Sequence, residues 1–420
     1  MIDPDRHPRG LYVLFAAEMW ERFSFYSMLS MFTLYLQNKD QGFGFATPRA
    51  TNLYANYLAC VYLSPLVGGW IADRKLGYRR AAMLGAVFFI AGHLLLAFRS
   101  LPILYTALAC LVIGNGLFKP SISTMVGNLY PERSRLKDRA YIIFYMGISA
   151  GAFLAPIVAE FVSKKYGFHP AFTVAAGGML ISAMVLWRFG REIRGAESSL
   201  SAAASERMDA LTTVPDSRRI GALIVVFLIV IVYWMIVYQS GSTLTYWAND
   251  NTAWTVSGVI SNAINPFWIV TLTFPLIWFW TWLARKGREP STPAKMAIGM
   301  LFIGVAFFIM SYAGLAGGND GKVSPWWLIG AYFIISIGEL MLSPMGLSLV
   351  SKVAPIHMRG VMMGGWFLSA AIGNKLSVIG VYWDVWRHST FFIVLGSMAI
   401  AMAVLLGLLL KPLKRAMPGV

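Results

Sequence analysis

The sequence predicts an all-α integral membrane protein with twelve transmembrane helices in two bundles of six. Three observations predict it. Of 420 residues, 57% are hydrophobic and 13% charged, with a mean hydropathy of +0.62. A soluble domain cannot hide that much apolar surface. The apolar residues also fall into runs near the 20 or so residues that a helix needs to cross a bilayer, without the alternating pattern of a β-barrel. Finally, the Lys and Arg residues are segregated by side. With twelve spans both termini share a side, and 25 of the 35 Lys/Arg fall there, against seven opposite and three (Arg22, Lys119, Lys375) inside spans. Positive residues mark the cytoplasm, so both termini are expected there. The +16 net charge is therefore read as topology and not as a nucleic-acid footprint.

The expected spans are 11–37, 50–72, 81–98, 102–127, 140–162, 170–188, 220–247, 259–284, 296–315, 325–350, 360–384 and 389–410. Span 1 lacks a small-residue cleavage site and reads as a retained helix, not a signal peptide. It holds the run EMWERFSFY (18–26), with Glu18, Glu21 and Arg22 among apolar residues. Each such charge costs about 2.5–3.5 kcal/mol at mid-bilayer, so it marks a functional site by default. Spacings of three and four put Glu18, Glu21, Arg22 and Phe25 on one helical face, with Tyr26 one turn beyond Arg22. Desolvation and a neighbouring cation act in opposite senses on a carboxyl's proton affinity, which suits a proton carrier. The alternative is a static ion cluster that pins helices together.

Spans 2 and 3 are joined by GGWIADRKLGYRR (68–80). This resembles the loop motif of the major facilitator superfamily at Gly69, Asp73, Arg74, Gly77, Arg79 and Arg80. Gly69 would allow close helix approach. Asp73, at a helix end, would pair with basic groups of a neighbouring helix and latch one conformation. The alternative is a solvated loop that only sets topology. Span 4 carries GNGLFKPSISTMVGNLY, with Lys119 in the half nearer the cytoplasm and Pro120 expected to break the helix locally. Depth allows pairing of Lys119 with Glu18 or Glu21; snorkelling to the interface is the alternative.

Segment 189–219 is polar and rich in Ser, Ala and Gly, so it reads as a cytoplasmic linker. It separates an N-terminal bundle, 1–188, from a C-terminal one, 220–420. Two six-helix halves around a midplane site are the plan of major-facilitator transporters. In span 10, Glu339 in SIGELMLSPMGLSLVSKVAP lies near the depth of Lys119. A Lys119–Glu339 bridge would close the cytoplasmic side and open on protonation. Cys60 and Cys110 read as small core residues, with no disulfide framework or metal site. No nucleophile or metal-ligand arrangement stands out, so an enzyme is not expected.

Together, the run through Glu18, Glu21, Arg22, Phe23 and Tyr26, the span-4 run with Lys119, GELMLSPMGLS with Glu339 and WFLS at 366–369 resemble signatures of the proton-dependent oligopeptide transporter family. The resemblance covers 10–410. It implies a multi-pass inner-membrane symporter that imports di- and tripeptides by alternating access. It would be driven by the proton gradient without a cofactor, and functional as a monomer. Glu18, Glu21, Arg22 and Lys119 would serve proton coupling. Arg22, Tyr26, Tyr62, Lys119, Ser149, Trp234, Tyr238, Glu339, Trp366 and Ser369 would line the substrate site. Asp73, Arg74, Lys119, Glu339 and Leu29 would belong to the gates.

The departures are specific. The family usually has an Arg at the position of Leu29 and a Glu at that of Tyr238, which form an outer ion pair. Both are absent together, as expected if either alone would be a buried unpaired charge. A family Asn is Ser149 here. Lys375 is a candidate replacement for the lost Arg, against simple snorkelling. The linker is too short for two additional spans, and loop 315–325 too short for a large external domain, so a compact prokaryotic member is expected. These departures keep other substrates open: a modified peptide, a peptide-like antibiotic, an amino acid or a nitrate-like anion. An export antiporter and a non-transporting sensor are further alternatives.

Overall fold

The computed structural model describes residues 7–131, 134, 136–197, 214–241, 243–255, 261, 263–383 and 385–417. Most of the linker, 198–213, and the expected start of span 8 lie outside them. The described chain is helical: α1 Arg9–Gln37, α2 Thr47–Ile71, α3 Tyr78–Leu95, α4 Leu101–Asn128, α5 Leu136–Tyr166, α6 Phe168–Arg188, α7 Asp216–Val237, α8 Thr243–Asp250, α9 Ile264–Arg285, α10 Thr292–Gly317, α11 Pro325–Val353, α12 Arg359–Leu376 and α13 His388–Ala416. Among the described residues, nine helical segments are long and apolar enough to cross a membrane. The other three long helices, α1, α3 and α12, each carry charges that lower their hydropathy.

Two expected spans are shorter as α-helices. The seventh ends at Val237, tightens to a 3-10 turn over Tyr238–Gly241, and resumes as α8. Ser240 and Gly241 are poor helix formers, and the Gln239 side chain bonds out of register, to the Met235 and Ser377 carbonyls at 3.3 and 3.0 Å. The eleventh ends at Leu376 and continues as a 3-10 stretch, Ser377–Tyr382. Conversely, α4 runs unbroken through Pro120. The proline removes one N–H and does not break the helix.

The chain forms two compact units: Met1–Thr213 with Ala354–Leu368, and Val214–Val353 with Ser369–Val420. In the first, α1 packs on α5 and α6, α3 on α4 and α6, and α2 on α4. Helices in lipid gain little from apolar contact alone, and small residues with polar cross-links join them instead. Here Ser24 donates to the Ala175 carbonyl (2.6 Å), Ser27 to Ala155 (3.3 Å) and Ser182 to Ala17 (2.7 Å). In the second unit, α10 packs on α11 and α13, α9 on α11, and α7 on α13. Ser311 donates to the Ser389 carbonyl at 2.8 Å. Arg219 ties the start of α7 to the end of α11 through the Val353 carbonyl at 2.8 Å.

Cys60 is exposed and Cys110 half-buried. The core reading of Cys60 is therefore corrected. It sits on an outward face of α2, where a small apolar side chain meets lipid at no cost.

Candidate functional site

Within the first unit, α1 buries three of its four charges: Glu18 and Glu21 are 0% and Arg22 2% exposed, while Arg9 at its start is exposed. Close contact between α1 and α5 makes this possible. A Cβ on Gly151 of α5 would sit 2.3 Å from the Met19 carbonyl oxygen and 3.0 Å from Arg22 Cβ. Arg22 grips Glu21 with both Nε and Nη2, each at 2.5 Å, the two-pronged geometry that a guanidinium prefers. Glu18 Oε1 stands farther off, 3.6 Å from Arg22 Nε. Neither Glu18 oxygen receives a hydrogen bond among the described residues. The two acids thus differ: Glu21 is saturated by the cation, and Glu18 has spare acceptor capacity.

α4 completes the cluster. Arg22 Nη2 reaches Asn115 Oδ1 at 3.4 Å, and Asn115 Nδ2 donates to the Val61 carbonyl of α2 at 2.8 Å. Phe25 and Tyr26 face the guanidinium at 4.9 and 5.9 Å. One turn beyond Asn115, Lys119 places its ammonium 4.7 Å from the Phe367 ring centroid. It makes no ion pair among the described residues, so pairing with Glu18 or Glu21 is not formed in this conformation. Ser149 of α5 and Trp366 of α12 are buried at 5% and 2% exposure. Tyr26, Leu29 and Tyr62 are half-buried.

In the last turn of α2, Gly69 meets Gly360 so closely that a Cβ on it would lie 2.2 Å from the Gly360 oxygen. Among the described residues Asp73 makes no ion pair with a basic group, which corrects the pairing that the sequence led one to expect. Its carboxylate accepts the backbone N–H groups of Gly360 (2.8 Å) and Val361 (2.9 Å), at the first turn of α12, and the Tyr78 hydroxyl at 2.7 Å. Unsatisfied amides and the positive dipole end at a helix start make such a site attractive to an anion. Gly77 closes the loop with φ 73°, a conformation that disfavours any side chain. Arg74 is exposed against Trp70, 5.8 Å from its ring.

In the second unit, Glu339 of α11 is 6% exposed and accepts from Asn265 Nδ2 at 2.9 Å. Ser336, one turn back, shares that asparagine at 3.2 Å. Trp234 and Tyr238 stack at 5.5 Å near the end of α7, and Ser369 is buried at 3% exposure. Lys375 is exposed in the last turn of α12. That position speaks for snorkelling and against a buried replacement cation. Sequence reasoning missed Asn115, Asn265 and Phe367. Asn115 was legible: it lies one turn before Lys119 in GNGLFK. Asn265 and Phe367 carry no local signal, because their partners lie far away in the chain. Among the described residues no group of His, Cys, Asp and Glu would hold a metal ion.

Titratable charges buried inside long apolar helices are the mark of a membrane transport pathway. Residues 79–194 and 188–390 match the POT family, and the chain belongs to it. It is 30% identical to the di-/tripeptide transporter of Lactococcus lactis subsp. lactis (strain IL1403), over 98% of this chain and 97% of that one. Its fold resembles the crystal structure of a mutant peptide transporter POT in complex with alafosfalin (30% identity, TM-score 0.71, covering 99% and 98% of the two chains). It also resembles a POT family transporter in complex with 5-aminolevulinic acid (28% identity, TM-score 0.73, covering 97% of each).

Proposed function

We propose that this protein is a proton-coupled symporter that imports di- and tripeptides by alternating access. The observation that carries the reading is the buried Glu18, Glu21 and Arg22 cluster, with one acid clamped and one unsaturated. Protonation of an acid weakens its hold on Arg22 and frees the guanidinium for a substrate carboxylate; deprotonation restores the clamp. The acids share one cation and titrate as a single system. Lys119 supplies a second cation on the same wall. Tyr26, Tyr62, Ser149, Trp234, Tyr238, Glu339, Trp366 and Ser369 are assigned to the substrate site, with Glu339 as the counter-charge for an amino group. Asp73, Arg74, Lys119 and Glu339 are assigned to gating, and Leu29 to an outer gate closed by apolar packing. The charge distribution supports cytoplasmic termini in an inner membrane, and the protein is assigned as a monomer.

A second reading keeps the mechanism and changes the cargo to a modified peptide or amino acid. It is favoured by Leu29 and Tyr238 in place of a charge pair, and by the bound alafosfalin and 5-aminolevulinic acid of the two related structures. Uptake into proteoliposomes tests both. Gradient-driven accumulation of dialanine or trialanine that is lost in Lys119→Ala supports the first. Uptake of 5-aminolevulinic acid without either peptide supports the second. No proton-driven uptake of any of them, by folded protein, defeats both.

A further inference from the structure

An open apolar cavity of about 400 Å³ lies between α2 and α4, and none of the charged cluster's side chains lines it. Its walls include Cys60, Leu63, Ser64, Val67 and Ile71 of α2 and Ile113 of α4. Leu63, Val67 and Ile113 are 52%, 61% and 44% exposed. Both helices are long and apolar enough to span the membrane, so lipid is the solvent that these side chains meet.

The groove exists because the two backbones touch. A Cβ on Gly68 would lie 1.9 Å from the Gly116 carbonyl oxygen. Pro120 has no N–H to satisfy that carbonyl, one turn earlier in α4. Helices that meet at glycine leave a trough flanked by the larger side chains above and below the contact. From Cys60 to Ile71 the trough runs about 16 Å along α2 at about 1.5 Å per residue. That is about half of a hydrocarbon core roughly 30 Å thick, the depth of one leaflet.

What stands at the end of the groove identifies its occupant. Residues at spacings of three and four share one face. Cys60, Ser64, Val67 and Ile71 therefore line one strip of α2, and the π-helical turn Ala72–Leu76 that continues this helix carries Arg74 and Lys75 beyond the end of the strip. Both cations are exposed, and both lie against the Trp70 ring, at 5.8 and 5.6 Å. Neither makes an ion pair among the described residues. The nearest acid in the chain, Asp73, is committed to the Gly360 and Val361 amides and the Tyr78 hydroxyl. A tryptophan with two unneutralised cations is the composition of a membrane interface facing anionic headgroups.

We propose that this groove is a binding site for an anionic phospholipid of the leaflet that meets the 73–80 loop. One acyl chain lies along Cys60–Ile71, and the headgroup phosphate sits between Arg74 and Lys75 beside Trp70. A zwitterionic lipid fits the trough equally well but lacks the net charge that the two cations select.

Intact-protein mass spectrometry of the full chain in detergent tests this. The probes are dioleoyl phosphatidylglycerol, dioleoyl phosphatidylcholine and glycerol 3-phosphate. A one-to-one phosphatidylglycerol adduct is expected at a lipid concentration on the order of tenfold below that needed for phosphatidylcholine. The double substitution Arg74→Gln/Lys75→Gln removes the preference. Val67→Trp or Ile113→Trp, which fill the trough from opposite walls, weakens both adducts. Variants are compared only when their melting temperature and elution volume match the parent; Arg74→Gln/Lys75→Gln changes two exposed side chains and keeps the test decisive where a wall variant fails to fold. Equal binding of the two lipids overturns the proposal. So does retention of phosphatidylglycerol by all three variants, or displacement of the lipid by equimolar glycerol 3-phosphate, which carries the phosphate without chains.

Discussion

Asp73 Oδ1 accepts the backbone N–H of Gly360 at 2.8 Å, so an acid in the π-helical turn that ends the second span, Ala72–Leu76, caps the start of α12. Its other oxygen takes the Val361 N–H at 2.9 Å. Asp73→Ala removes both acceptors and the charge, and a loss of about 1–2 kcal/mol in stability is expected. Asp73→Asn should lose nearly as much, because its amide nitrogen would point a donor at a donor. Tyr78→Phe, which deletes one of three donors to the carboxylate, should cost about 1 kcal/mol or less. Denaturation midpoints in detergent give this ranking; an Asn variant as stable as the parent would sink it.

The same junction cannot admit a methyl group. A Cβ at Gly360 would stand 2.6 Å from Asp73 Oδ1 and 2.7 Å from the Gly69 oxygen, one of them backbone. Gly360→Ala should therefore lower the melting temperature and the uptake rate together. Gly177→Ala is the control. Nothing lies within 4 Å of its Cβ, and alanine favours a helix interior by about 0.5–1 kcal/mol. It should melt at or above the parent temperature.

His7 gives a pH dependence outside the membrane-spanning helices. Its Nδ1 lies 2.8 Å from the Tyr130 hydroxyl. Burial first, and then the field of Arg139, hold its pKa below the ordinary 6.5. The unfolded chain then binds the extra proton more readily than the folded one, so stability is full above pH 6.5 and falls as pH drops through the folded pKa. His7→Gln should flatten that acid-side fall. Melting curves from pH 8 to pH 5 for the two proteins decide it: parallel curves would mean that His7 contributes nothing.

Much of this architecture was legible because the bilayer is a severe solvent. Twelve apolar runs, the charge asymmetry and the three charges of EMWERFSFY each follow from the cost of polar groups in hydrocarbon. What stayed hidden depends on partners distant in the chain. Nothing near Asp73 announces that its ligands are backbone amides almost 290 positions away. Lys119 resting on Phe367, and Glu339 held by Asn265, are likewise products of packing. The break after Val237 was missed because the run from 220 to 247 stays apolar through Gln239, whose side chain redirects the backbone.

The unequal treatment of the two acids leads to a separation of their roles. Glu21→Gln removes the carboxylate that holds Arg22 by two bonds of 2.5 Å. Stranding a buried charge costs about 3–5 kcal/mol, but Glu18 already stands 3.6 Å from the guanidinium and can take over as counter-ion. The destabilisation should therefore stay below that range, while Glu18 becomes locked in the role that Glu21 had. Proton-driven peptide accumulation should be abolished, and peptide exchange across the membrane, which needs no net proton movement, should persist. Glu18→Gln leaves the Glu21–Arg22 clamp intact, so its melting temperature should stay near the parent while its accumulation also falls. Accumulation and counterflow measured side by side in proteoliposomes separate coupling from binding. Full gradient-driven accumulation in Glu21→Gln would remove this cluster from the coupling mechanism.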